Sequence, residues 1–109
     1  MQRISRPRKL YKHLFFNRTE LGQILATYST RVASGAWRDY SIDHLPGSAV
    51  FSIFRHTHET PLYTIEKQQR YPTESPKFTL RDRNKILCKD SSMQEIVQYF
   101  NRLPILISG

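Results

Sequence analysis

The central part of the sequence, residues 37–89, is a succession of short strand-type stretches separated by turn signals. Each stretch alternates apolar with polar residues or is rich in β-branched and aromatic ones, and the links contain Pro, Gly or polar runs. The stretches cover residues 38–44, 49–55, 62–67, 77–81 and 85–89. Because short links join consecutive strands as antiparallel neighbours, this region predicts a meander of four or five strands.

The sequence before this region predicts a helix over residues 18–34. Asn17 can act as the N-cap and Glu20 can close a capping box, while Gly35 can end the helix in a left-handed conformation. An apolar stripe at helical spacing is expected to face the core, and a polar side is expected to face water. The stripe comprises Leu21, Ile24, Leu25, Tyr28 and Val32, and the polar side comprises Glu20, Gln23, Thr27, Thr30, Arg31 and Ser34.

Small residues recur along one further line of this helix, at Gly22, Ala26, Ser29 and Ala33. Such a line lets another backbone approach closely. We interpret it as tight packing onto the protein's own sheet, and the alternative is a helix–helix contact in a homodimer.

A second helix is predicted to begin near Ser91 or Ser92. Ser92 with Glu95 fits a capping box, and Ser91 with Gln94 fits one as well. Pro104 ends the helix, because proline cannot continue it. The apolar stripe of this helix comprises Met93, Ile96, Val97, Phe100 and Leu103.

Together these elements predict an α+β fold of two layers: a helix, an antiparallel meander of four to five strands and a helix, with a basic N-terminal arm. Both helices are expected to cover one face of the sheet. The other face is expected to show some aromatic and β-branched residues of the second and third strands. We expect residues 1–13 to form the arm and residues 14–109 to form a single α+β domain.

Basic residues are concentrated at the start of the chain. The net charge is +8, from 17 Lys and Arg against 9 Asp and Glu, and residues 1–18 hold six of the bases and no acid. Such a segment can contact nucleic acid, an anionic membrane surface or an acidic protein patch, or can act only as a solubilising tail. No stretch approaches the roughly 18 apolar residues that a membrane-spanning helix needs.

Residues with catalytic or metal-binding chemistry are few. Cys88 could form a thiolate–imidazole pair with a histidine, but a lone cysteine inside a strand is interpreted as a packed small residue. His56, His58 and Glu59 could hold a metal, but they lie in a polar turn and are interpreted as solvated. We therefore expect no catalytic residues, no metal and no cofactor. The single cysteine excludes an internal disulfide, which favours a cytoplasmic protein.

Aromatic side chains occur on several predicted strands, at Phe51, Phe54, Tyr63 and Phe78. On an open sheet face such rings can stack nucleic-acid bases. The glycine–aromatic signature of RNA-recognition modules is absent from this sequence, so core packing or contact with a partner is the expected use.

Four segments carry a resemblance to a known family: FFNRTEL at 15–21, ASGAWRDY at 33–40, AVFSIFR at 49–55 and PLYTIEK at 61–67. They resemble a small alphaproteobacterial family known as domain of unknown function 2794. The resemblance implies a bacterial cytoplasmic protein, and it brings no catalytic residues that could be transferred to this chain.

The sequence thus predicts a small non-enzymatic binding or regulatory module. It is expected to contact a protein partner or a second copy of itself through the aromatic sheet face or the small-residue helix line. The alternative is a nucleic-acid-binding protein led by the basic arm. The candidate binding residues are Arg3, Arg6, Arg8, Lys9, Lys12, Trp37, Arg38, Asp39 and Arg55.

Overall fold

The structure of the chain, a computed structural model, describes residues 13–35, 37–56 and 60–103. Two helices flank five strands along the chain, which confirms the predicted α+β order. The elements are α1 (Arg18–Ala33), β1 (Asp39–Leu45), β2 (Ser48–Phe54), β3 (Tyr63–Gln68), β4 (Lys77–Asp82), β5 (Lys85–Asp90) and α2 (Met93–Asn101). The predicted N-terminal arm, apart from His13, and the residues from Pro104 onward lie outside the described residues.

The five strands form one antiparallel meander in the order β1-β2-β3-β4-β5. A turn at Pro46 and Gly47 joins β1 to β2, and Gly47 adopts a positive φ of 73° that side chains disfavour. Both helices pack on the same face of the sheet, which we call the inner face. Buried residues of this face and of the helices form the core: Ile24, Phe51, Ile53, Ile65, Phe78, Leu80, Ile96 and Phe100.

The start of α1 confirms the predicted capping box. The side chain of Asn17 accepts a hydrogen bond from the backbone nitrogen of Glu20 at 2.7 Å, and the Glu20 carboxylate accepts one from the backbone nitrogen of Asn17 at 2.8 Å. At the other end, Gly35 takes a positive φ of 82° as predicted.

The prediction for the orientation of α1 is partly wrong. The residues that α1 buries are Glu20, Ile24, Thr27 and Arg31, of which all but Ile24 were expected to face water. Conversely, Val32 from the predicted core stripe is 38% exposed. The reason is that the buried polar groups have polar partners inside the fold, so their burial does not leave them unsatisfied.

The small-residue line of α1 does not pack onto the sheet. Gly22, Ala26, Ser29 and Ala33 are all exposed, and a Cβ atom added at Gly22 would meet nothing within 4 Å. The preferred interpretation, packing against the protein's own sheet, is therefore wrong.

The outer face shows some aromatic and β-branched residues of β2 and β3, as expected, at Val50, Phe54 and Thr64, but most of the strand aromatics lie on the inner face. Phe51 and Phe78 point to the inner face and are buried, and Tyr63 lies on that face with its ring 5.1 Å from the ring of Phe100. Of the four aromatic residues, only Phe54 lies on the outer face, where it is half-buried. Strand alternation explains this, because residues of one parity share a face.

The start of α2 differs from the predicted capping box. Ser92 is the N-cap, but its side chain makes no capping hydrogen bond. Instead the carboxylate of Asp90 accepts a hydrogen bond from the backbone nitrogen of Ser92 at 2.9 Å. The acidic residue before the cap therefore holds the chain that enters α2.

Candidate functional site

Strand pairing brings three arginines to one end of the sheet. Arg38 precedes β1 and donates its backbone N–H to Phe54, the last residue of β2, at 2.9 Å. Arg55 follows β2 directly, and Arg83 lies in the turn between β4 and β5. We call the end of the sheet marked by Arg38, Arg55 and Arg83 the arginine end.

Backbone hydrogen bonds of Leu62 link the two segments that carry Arg55 and Arg83. Its N–H donates to Ile53 of β2 at 2.8 Å, and its carbonyl accepts the N–H of Arg83 at 3.0 Å. Because Leu62 bonds both to β2 and to the β4–β5 turn, the positions of Arg55 and Arg83 are fixed by main-chain contacts.

Arg55 and Arg83 line one surface concavity of about 380 Å³, together with His56, Thr60 and Leu62. Its volume lies in the range of small-ligand sites. Two guanidinium groups and an imidazole therefore border a space that is open to solvent.

Among the described residues, one carboxylate forms an ion pair with the two arginines of this concavity. Arg83 pairs with Asp82 at 3.2 Å, but Arg83 is largely exposed, so water weakens the attraction. Arg55 is half-buried and has no carboxylate within 4.0 Å among the residues that the structure describes. The site is therefore suited to anions.

Arg83 adopts a strained backbone conformation. Its φ is 57°, and it is the only non-glycine residue with positive φ in the described part of the chain. A side chain in this region costs on the order of 1 kcal/mol. Strain of this kind often occurs at functional sites, which favours a functional role for the concavity that Arg83 lines.

The structure separates the candidate binding residues that the sequence suggested. Trp37 is buried, with its ring 4.8 Å from that of Phe100, so it belongs to the core. Asp39 accepts a hydrogen bond from the backbone nitrogen of Tyr40 at 2.8 Å, and the described residues show no ion pair between Asp39 and Arg38.

Only Arg55 of the predicted binding residues lines the concavity, while Arg38 is exposed one strand away. The candidates Arg3, Arg6, Arg8, Lys9 and Lys12 lie outside the described residues. The sequence analysis did not predict that Arg83 and Arg55 line the same concavity. The hairpin turn at Arg83, combined with the antiparallel register of β2, β3 and β4, could have indicated it.

The β1 edge is a second distinctive surface. Among the described residues β1 pairs only with β2, and no described strand lies along its other side, which we call the free edge. At the end of β1 the carbonyl of Leu45 accepts the backbone N–H of Leu14 at 3.0 Å. Three of the five exposed large apolar side chains of the described chain lie on β1 or on a segment that contacts it: Phe15, Tyr40 and Leu45.

Ring contacts show how the neighbouring segments reach β1. The Phe15 ring lies 4.2 Å from the His44 ring, and the Tyr28 ring lies 4.9 Å from the Tyr40 ring. Rings from two neighbouring segments therefore contact β1 near both of its ends.

The opposite edge of the sheet, at β5, differs from β1. It carries Lys85 and Lys89, and its register with β4 shifts between Leu80 and Arg81. Lysines and bulges are common devices that prevent a strand edge from pairing with another chain. Helix α2 also packs near β5. The two edges are thus protected to different degrees.

The surroundings of Cys88 do not activate its thiol. Burial raises the pKa of this thiol, and the negative charges of Asp90 and Glu95 raise it further. A reactive cysteine needs the opposite shift. His44 lies on the far edge strand from Cys88, and no cluster of three potential metal ligands occurs in residues 13–35, 37–56 and 60–103.

The described elements define a small two-layer α+β protein in which two helices cover one face of a five-stranded antiparallel meander. The chain belongs to the family described as "Protein of unknown function (DUF2794)", whose model matches residues 14–97. The comparisons found no matching curated protein and no matching solved structure. Within the described residues, neither helix has the length and apolar character that crossing a membrane requires.

Proposed function

We propose that this protein is a non-enzymatic binding module that associates with a second copy of itself through the β1 edge. The observation that carries the proposal is the free edge of β1 in the described part of the chain, together with the exposed side chains of Phe15, Tyr40 and Leu45. An unpaired strand edge offers backbone donors and acceptors to another strand, and burying apolar side chains beside it favours association.

A second copy is a suitable occupant because the edge is complementary to itself. Two β1 strands related by a two-fold axis pair antiparallel, and residues directly opposite each other then share a face. Pairing centred on Ile42 places Tyr40 of one copy opposite His44 of the second copy. The inner faces then lie on the same side, and the two sheets continue into one.

The charges of β1 favour this register over its neighbours. With Ile42 at the centre, Asp43 of one copy faces Ser41 of the second copy. Sliding one strand by two residues in either direction, which keeps the same faces together, places Asp43 opposite Asp39 or opposite Asp43 of the second copy. Like charges directly opposite each other destabilise a strand pair, so the register centred on Ile42 is the favoured one.

Opposite charges introduced at Ser41 test both the dimer and its register. Ser41→Asp places two additional carboxylates opposite Asp43 and weakens the dimer, whereas Ser41→Lys creates two attractive pairs and strengthens it. Each cross-strand pair contributes roughly 0.2–1 kcal/mol, so two pairs change the dissociation constant by about twofold to thirtyfold in each direction. Sedimentation equilibrium over a range of concentrations measures the constant.

A substitution on the exposed helix line, Ser29→Glu, is the matched control. It leaves the β1 dimer unchanged, and unfolding curves at low concentration show whether any variant alters the monomer itself. Loss of the dimer through Ser29→Glu would move the contact to α1. A wild-type chain that stays monomeric up to millimolar concentration, or that dimerises only after deletion of residues 1–12, would overturn the proposal.

A second candidate function is nucleic-acid binding, and the arginine end together with the basic N-terminal segment favours it. Residues 1–12 contain five bases and no acid. If all five neutralise phosphates, deleting residues 1–12 reduces the salt dependence of duplex DNA binding by up to roughly 4–5 log units per log unit of salt. An unchanged slope would exclude this segment as the binding element.

We further propose that the module works in the cytoplasm of an alphaproteobacterium. Support comes from the sequence segments that suggested this origin and from a single cysteine, which is typical of reducing compartments. Fractionation of native cells, followed by detection with an antibody, tests the location, and recovery in the periplasmic fraction would contradict it.

A further inference from the structure

We infer that the concavity lined by Arg55 and Arg83 is a binding site for a phosphate group. This inference goes beyond self-association, because the site lies at the end of the sheet and uses no residue of β1. It rests on two arginines that the backbone brings together and on the charge of Arg55, which has no ion pair with any described carboxylate.

The geometry of the site is fixed by strand register. Arg55 directly follows β2, Arg83 lies in the β4–β5 turn, and Leu62 between them bonds to both neighbouring segments through its backbone. The Leu62 side chain supplies an apolar part of the lining, and His56 and Thr60 complete it. A ligand therefore meets guanidinium groups from two separate segments.

The charge of the lining selects an anion. Arg55 has no carboxylate within 4.0 Å in the described part of the chain, so its guanidinium retains the donors that an anion needs. Among the residues that the structure describes, Asp82 is the one acidic group that forms an ion pair with the lining, through Arg83 at 3.2 Å in an exposed pair. An incoming anion can compete with that pair for Arg83.

A phosphate group fits these donors better than a carboxylate. Guanidinium groups bind phosphate oxygens in a bidentate manner, and a phosphate monoester carries about −1.5 to −2 charge at pH 7. The concavity of about 380 Å³ is larger than the ion alone, so the remainder of a phosphate ester can occupy it. The same chemistry is presented by a small phosphate ester and by a nucleic-acid backbone.

The backbone of Arg83 provides a variant that separates binding from folding. Its φ of 57° is a conformation that glycine adopts freely. Arg83→Gly therefore removes the guanidinium and at the same time relieves the strain, so the melting temperature does not fall. Reduced anion binding in this variant reports the lost donor, because the fold is retained.

Nuclear magnetic resonance of the full chain tests the site. Inorganic phosphate is added at constant ionic strength, and the amide shifts of Arg55, His56, Leu62 and Arg83 are followed. We expect saturable shifts at these four amides, at least tenfold weaker binding in Arg55→Gln and Arg83→Gly, and unchanged binding in Arg18→Gln. Arg18 is an exposed arginine at the start of α1 and serves as the control.

Two further probes distinguish the sources of the phosphate. Phenyl phosphate competing with inorganic phosphate at these amides indicates a small ester, and an oligothymidylate without terminal phosphates doing so indicates a nucleic-acid backbone. Either result supports the site. Equal competition by acetate would overturn the phosphate assignment. Shifts scattered over many basic residues, or equal weakening in Arg55→Gln and Arg18→Gln, would overturn the site itself.

Discussion

Single buried polar residues determine how α1 sits on the sheet. The carboxylate of Glu20 accepts a hydrogen bond from the Lys67 ammonium at 2.8 Å, and both side chains are at most 10% exposed. Lys67 also donates to the carbonyl oxygen of Phe15 at 2.9 Å. Glu20 thus caps its own helix and at the same time neutralises a lysine that points from β3 into the core.

Removing one partner of this pair is expected to destabilise the fold strongly. Glu20→Gln keeps a side chain that can close the capping box, but it leaves the Lys67 ammonium buried without its counter-charge. The expected loss is about 3 kcal/mol in the free energy of unfolding, and Lys67→Met leaves Glu20 in the reverse situation. The double variant recovers most of that loss, since no unpaired charge is left inside. Urea unfolding of the four proteins measures the coupling.

The pair of Glu66 and Arg81 is the matched control for this cycle. The two side chains lie 2.8 Å apart, but Arg81 is 32% exposed, so solvent screens the pair. Glu66→Gln is expected to cost less than about 1 kcal/mol. Additive losses in the Glu20 and Lys67 variants, with no recovery in the double variant, would show that the buried pair is not coupled.

At the scale of the elements, α1 combines a polar buried stripe with an exposed line of small residues. Arg31 illustrates the first feature, because its guanidinium donates to the backbone oxygens of Phe100 at 2.9 Å and Leu103 at 2.7 Å. These carbonyls belong to the last turn of α2 and the residues after it, where helix oxygens lack partners. Arg31 therefore joins the two helices by capping α2 from the side of α1.

The exposed line makes a prediction about helix stability. Gly22→Ala is expected to raise the free energy of unfolding by about 0.5–1 kcal/mol, because alanine favours the helix and its methyl group meets open space. Gly47→Ala is the control and is expected to lower the free energy of unfolding, because a φ of 73° is strained for a residue with a side chain. Thermal unfolding at low concentration measures both. Destabilisation by Gly22→Ala would show that the line is packed against something.

Strand order and helix ends were predictable from the sequence because they depend on local chemistry. Pro46 and Gly47 mark a turn, and Asn17 with Glu20 marks a helix start, without knowledge of the rest of the fold. The buried face of α1 was not predictable in this way. Glu20 and Arg31 are buried because their partners come from distant segments, and hydrophobic periodicity contains no information about such partners.

The candidate site was predictable only in part for the same reason. The sequence indicated Arg55 as a binding residue, but its proximity to Arg83 results from the register of three strands. The free β1 edge likewise depends on which strand ends the sheet. Trp37 is a candidate binding residue by sequence and stands next to Arg38, yet its ring packs in the core against Phe100. Neighbours in sequence were a poor guide to neighbours in space.

At the scale of the whole molecule, the sheet differs at its two ends and its two edges. One end carries the arginines, and the other end is closed over the Glu20–Lys67 pair, where Leu14 also donates its backbone N–H to Leu45 at 3.0 Å. Among the described residues, one edge has no strand beside it and carries exposed Tyr40 and Leu45, and the other edge carries lysines and a bulge. The two proposed contacts therefore use separate surfaces, so one can fail without the other.

Two tyrosines and one cysteine with raised pKa values predict how the stability of the whole molecule changes at alkaline pH. Burial raises the pKa of the Tyr63 phenol, and the charge of Asp82 adds to it; burial and Asp39 raise the pKa of Tyr28. The pKa of the Cys88 thiol is raised as well, chiefly by burial. In the unfolded chain these groups titrate near their ordinary values of 9.0 for Cys and 10.0 for Tyr.

At pH values above these ordinary pKa values, the two tyrosines and the cysteine bind fewer protons in the unfolded chain than in the folded one. These three groups therefore lower the free energy of unfolding as the pH rises. We expect the urea midpoint to be constant between pH 7.5 and about pH 8.5 and to decrease from roughly pH 9 upward. Replacing both tyrosines, in Tyr28→Phe with Tyr63→Phe, removes two of the titrating groups and flattens the decline above pH 10. A decline of equal steepness in this variant would mean that other groups cause the alkaline loss, since phenylalanine has no proton to release.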